Sequence, residues 1–64
     1  MTADEFREAR QTLGISQSAM AAALGYGAAI RVSEIERGVR APSESVARLL
    51  RAYLDGYRPT DWPG

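Results

Sequence analysis

Apolar residues recur at helical spacing in four stretches of this chain, and no stretch alternates as a half-buried strand would. In the first, Phe6, Ala9, Arg10 and Leu13 share a face, behind Thr2 as N-cap and the first-turn acids Asp4 and Glu5, and Gly14 ends the helix. The second, "SQSAMAAAL", opens at Ser16 as N-cap, turns Met20, Ala21 and Leu24 inward, and closes at Gly25. A third helix is predicted to begin between Gly27 and Ala29, with Gly27 a permissible N-cap. It points Val32 and Ile35 inward and stops at Gly38. In the loop "GVRAPS" Pro42 disfavours helix at Ala41. Ser43 then caps a fourth helix that carries Glu44 in its first turn and buries Val46, Leu49, Leu50 and Tyr53, with Leu54 at the margin of that face and Gly56 at its end.

This pattern predicts an all-α fold: a four-helix domain over residues 1–56 and a tail over 57–64, "YRPTDWPG". With two prolines and two large aromatics, the tail either packs Tyr57 and Trp62 on something or frays.

Composition narrows the chemistry. At 64 residues the chain has room for one domain, near the lower size at which a core suffices without staples. It has neither cysteine nor histidine, which excludes disulfides, thiolate metal sites, cysteine nucleophiles and imidazole acid–base catalysis. An enzyme would need paired carboxylates, and the acids here mostly cap helices or pair with arginines, so no enzyme activity, metal or cofactor is expected. No apolar run approaches the roughly 20 residues of a membrane span, and the opening "MTADEFREAR" lacks the build of a secretory signal. A cytoplasmic protein without a membrane partner is the expectation.

Eight acids balance eight bases, so net charge does not advertise nucleic acid. The distribution is less even: residues 25–42 hold Arg31, Arg37 and Arg40 against Glu34 and Glu36. All eight bases are arginine. Codon composition alone can produce that, although arginine is also the better fork for phosphate and guanine.

Two short helices joined by a glycine turn, the second ending at Gly38, have helix-turn-helix spacing. The run "ARQTLGISQSAMAAALGYG" followed by "VSEIERGVRAPS" resembles the Cro/XRE family of phage and bacterial DNA-binding domains, over about residues 3 to 55. The matching residues are Arg10, "GISQ" before the second helix, Ala21, Leu24-Gly25, "IERG" and Pro42-Ser43. The resemblance implies a small lambda-repressor-like bundle of helices. Ala21 reads physically as the small residue that lets the second and third helices cross closely.

The resemblance further implies that Arg10 and Glu36 form a partly buried structural ion pair. It implies that Gln17 meets a DNA phosphate while bracing the recognition helix, with Ser16 and the free N–H groups of that helix end on the same phosphate. Ser16 as a plain cap and Gln17 as a solvated side chain are the alternatives. The family usually has one residue fewer before its IERG-like end, so "YGAAIR" carries what looks like an insertion at the base-reading end of the third helix.

Small residues there would let the backbone approach the duplex, leaving Arg31 as the first long polar side chain able to reach a base edge. Arg31 is expected to read a guanine and Ile30 or Ala29 a thymine methyl, while Glu34 orients Arg31 or accepts from a cytosine. The competing arrangement has Ile30 in the core and Arg31 paired with Glu34 in solvent. The resemblance also places the loop after the third helix beside the DNA backbone, so Arg40 and Arg37 are expected on phosphates.

One such unit reads only a few base pairs, whereas a two-fold dimer reads two half-sites about 34 Å apart. Leu50, Tyr53, Leu54, Tyr57 and Trp62 are more apolar surface than one thin layer readily covers, and a homodimer interface is expected among them. A tail folded back on its own core is the competing explanation. The function expected is a sequence-specific, dimeric transcriptional repressor of its own or a neighbouring promoter, acting on an inverted-repeat operator in double-stranded DNA. Small proteins resembling this one occur in phages and mobile elements, including regulators encoded beside anti-CRISPR genes. The alternative is an antitoxin or other interaction module whose main partner is a protein, such as a toxin.

Overall fold

Thr2 opens α1 (Ala3–Leu13) by a reciprocal arrangement: its Oγ1 accepts from the Glu5 N–H at 3.1 Å, and the Glu5 carboxylate accepts from the Thr2 N–H at 2.7 Å. Ser16 starts α2 (Gln17–Leu24) by accepting from the Ala19 N–H, and Ser43 starts α4 (Glu44–Leu54) by accepting from the Val46 N–H. Between α2 and the next helix the chain turns on Gly25, whose φ of 80° lies in the left-handed region that side chains avoid.

The recognition-helix candidate, α3 (Ala29–Glu36), starts at Ala29, inside the expected range. Its N-cap is Ala28, not Gly27, in ordinary extended geometry and with no side-chain bond to the first turn. Gly27 has no positive φ, and a Cβ there would meet nothing within 4 Å. The fold does not demand a glycine at position 27.

The computed structural model describes residues 1–64: these four helices, no strand, and a C-terminal tail. Phe6, Met20, Val32 and Leu50, one from each helix, are fully buried and meet as a single core with Ala9, Ile15, Ala21, Leu24, Ile35 and Tyr53. α2 packs chiefly on α3, with buried Ala21 on the inner face of α2, while α1 bridges α3 and α4. α3 and α4 scarcely touch.

Two residues expected at a dimer interface are corrected by this packing. Leu50 is 0% and Tyr53 3% exposed, so both are spent on the chain's own core and offer no surface to a partner. Ala47 is buried on α4, whereas Val46 and Leu49 are only half-buried and Leu54 is exposed. The inward face of α4 thus runs through Ala47, Leu50 and Tyr53.

The tail folds back. The Arg58 guanidinium donates to the carbonyls of Tyr53 and Tyr57, both at 2.7 Å, and lies 4.5 Å over the Trp62 ring. Trp62 in turn meets Tyr53 edge-on at 4.8 Å, and Gly64 lies against Ile15 closely enough to leave no room for a side chain. The Tyr53 hydroxyl donates to the Ala23 carbonyl of α2 at 2.5 Å, tying α4 to the helix-turn-helix. Tyr53→Phe is expected to lose about 1 kcal/mol of stability. Urea unfolding followed through the single tryptophan should show a lower midpoint at unchanged slope.

Candidate nucleic-acid interface

The orientation of α3 is held at its C-terminal end by one buried acid. The Glu36 side chain is 4% exposed, and Arg10 of α1 grips it with two bonds, Nε to Oε2 at 2.7 Å and Nη2 to Oε1 at 3.2 Å. Gln17, in the first turn of α2, donates from Nε2 to Oε1 at 3.3 Å. Arg10 also donates to the Ile15 carbonyl at 3.0 Å, so the same guanidinium fixes the α1–α2 turn.

Burial alone would push the Glu36 carboxyl up. The hydrogen bonds from Arg10 and Gln17 and the charges of Arg10 and Arg7 outweigh it and hold the carboxyl below its ordinary range. The bond to Glu36 likewise raises Arg10, against its own desolvation.

Arg7 is the member of this cluster that sequence reasoning missed. Its Nη2 donates to the Glu36 carbonyl at 2.7 Å, and its Nε lies 3.7 Å from the carboxylate. A signal was available: Arg7 precedes Arg10 by three residues and shares its helix face.

Gln17 therefore touches α3 directly. Ser16 caps α2 through the Ala19 N–H, and its hydroxyl is exposed at that helix start. On α3 itself Ala29 is half-buried, while Ile30 is 55% exposed and lies outside the core, which removes the arrangement in which it packs inward. Arg31 is exposed and makes no ion pair; Arg37, just past the helix, is also exposed and unpaired.

Glu34 does not orient Arg31. After Gly38 the chain turns back over α3, and the N–H groups of Val39 and Arg40 both donate to the Glu34 carbonyl, at 2.9 and 3.4 Å. That brings Arg40 Nε to 3.1 Å from the Glu34 carboxylate. Arg31 and Arg40 face a shared cleft of about 360 Å³ between α3 and the start of α4, lined also by Tyr26, Ile35, Ala41, Ser43 and Val46. Burial raises the Tyr26 hydroxyl's pKa above its ordinary value, against the opposing pull of the Arg31 charge.

Two short helices packed on each other across a glycine turn, with the second braced at one end and bare at the other, have the build of a helix-turn-helix. The family model described as Helix-turn-helix (HTH_3) matches residues 6–62, and the chain belongs to that family, the Cro/C1-type helix-turn-helix proteins of the XRE class. It is accordingly a DNA-binding transcription regulator of the XRE type. No curated protein and no solved structure matches the chain. No helix is long and apolar enough to cross a membrane.

Proposed function

We propose that this protein is a sequence-specific repressor of its own or a neighbouring promoter, of the kind carried by phages and mobile elements, and that it binds an inverted-repeat operator as a homodimer. The observation that carries the reading is the bare start of α3. Small residues precede it, Ile30 and Arg31 are exposed on its first turn, and the helix behind them is fixed by the Glu36 cluster. A rigid support under an open, arginine-bearing helix end is what base reading in a major groove requires.

In this reading Arg31 meets a guanine and Ala29 or Ile30 a thymine methyl, while Ser16, Gln17, Arg37 and Arg40 meet phosphates. The second copy contacts exposed Leu54 and Tyr57 beside half-buried Trp62, since Leu50 and Tyr53 are already used.

The deciding experiment is selection of bound duplexes from a random DNA pool at near-physiological salt. An inverted repeat with half-sites about one helical turn apart supports the dimeric repressor. Absence of any motif, with binding abolished by modest salt, turns the reading towards a protein partner, as in an antitoxin. Arg37→Ala is expected to weaken binding to operator and random DNA alike and to flatten log K against log salt by roughly 0.9 per lost phosphate contact. Titrations at several salt concentrations measure that slope.

A further inference from the structure

Of the three arginines at this interface, Arg31 and Arg37 are free and Arg40 alone is paired, to a carboxylate on the recognition helix itself. The pairing is fixed by more than the two side chains. The Val39 and Arg40 N–H groups bond the carbonyl of the same glutamate, so the loop that carries Arg40 is tied to Glu34 through backbone and side chain together. Glu34 is the better shielded partner, with its side chain 23% exposed against 56% for Arg40. The carboxylate is seated on the helix, and the guanidinium is the more open end of the pair.

We propose that Glu34 is a latch on Arg40: in the free protein it holds this arginine off the phosphate backbone, and so sets how tightly the domain binds DNA of any sequence. A phosphate that takes Arg40 must displace a carboxylate already 3.1 Å away, whereas one meeting Arg37 displaces only water. The latch is a built-in competitor that weakens every complex alike, so it tunes affinity and not the choice between sequences. Here it lowers attraction to the backbone, the part of binding that carries no sequence information.

The proposal rests on the nucleic-acid reading only through the phosphate it invokes, and its test uses a polyanion as well as DNA. The parent, Glu34→Gln, Arg40→Ala and the double variant are compared by the salt needed to elute each from a heparin column and by affinity for random-sequence duplex, after thermal unfolding confirms that each is folded. Glu34→Gln keeps the side-chain shape and removes the charge. It is expected to elute later and to bind random duplex about two- to five-fold more tightly. Both gains should disappear when Arg40 is alanine.

An equal gain with and without Arg40 would mean that Glu34 repels DNA by charge alone, and the latch is overturned. No gain, or a loss confined to one base position of a selected site, overturns it too. A heparin cycle that shows the coupling while operator selection yields no motif retains the latch and removes the repressor reading. A selected operator with an uncoupled cycle does the reverse.

Discussion

Glu36→Ala and Arg10→Ala are each expected to cost about 3–5 kcal/mol, the range for breaking a buried pair by removing one partner. The loss of Arg10 is the more instructive. It strands a carboxylate that is 4% exposed, with only the Gln17 amide at 3.3 Å and the more distant Arg7 Nε at 3.7 Å left to answer it. Domains of this size are stable by roughly 0.05–0.15 kcal/mol per residue, so either variant loses much or most of its folding free energy. Urea titration through Trp62 would show it.

Replacing both partners by apolar residues of similar volume, Arg10→Met with Glu36→Leu, is expected to restore most of the loss, because no charge is then left buried. A double variant no more stable than either single would show that the pair contributes packing rather than electrostatics.

Acid gives the same cluster a second signature. The folded carboxyl of Glu36 titrates below its ordinary value of 4.5, so its contribution is fully present above that pH and drains away as pH falls towards the depressed folded value. The parent should therefore lose stability on acidification below about pH 5 more steeply than Glu36→Gln, which has no such proton to gain. Parallel losses in the two proteins would place the acid-sensitive group elsewhere.

What could be read from the chain, and what could not, follows from how local each signal is. Thr2, Ser16 and Ser43 announce their helices because a capping hydroxyl acts on an N–H three residues away, and Gly25 marks its turn because its φ is positive. Ala28 does neither: its N-cap role rests on backbone geometry that any residue adopts, so the sequence bounds the start of α3 to residues 27–29 without marking its cap.

The inward period of α4 was legible, but its use was not. Leu50 and Tyr53 looked like surplus apolar surface, but Leu50 is taken up by the four-helix core and Tyr53 is met by Trp62, while Gly64 closes on Ile15. The last two contacts join the tail to α4 and to the α1–α2 turn, with no periodicity to betray them. Glu34 illustrates the same limit at the interface. Helical spacing pairs it with Arg31 three residues earlier, yet the reversal after Gly38 delivers Arg40, six residues on, by backbone bonds that no side-chain pattern encodes.

Arg31→Ala is expected to weaken binding to the selected operator by about 1–3 kcal/mol per half-site, the worth of one bidentate arginine–guanine contact, and to relax preference at a single position in each half-site. Arg31→Lys separates the fork from the charge. Lysine keeps the positive end but cannot present two parallel N–H donors to O6 and N7. A base-reading Arg31 predicts that the lysine variant loses nearly as much operator affinity as the alanine variant while binding random duplex like the parent. If Arg31 instead serves the cleft it shares with Arg40 as a phosphate contact, lysine restores operator binding, and alanine lowers operator and random DNA equally with a shallower salt slope. The two variants on two duplexes thus decide whether the first long side chain of α3 reads sequence or only holds the backbone.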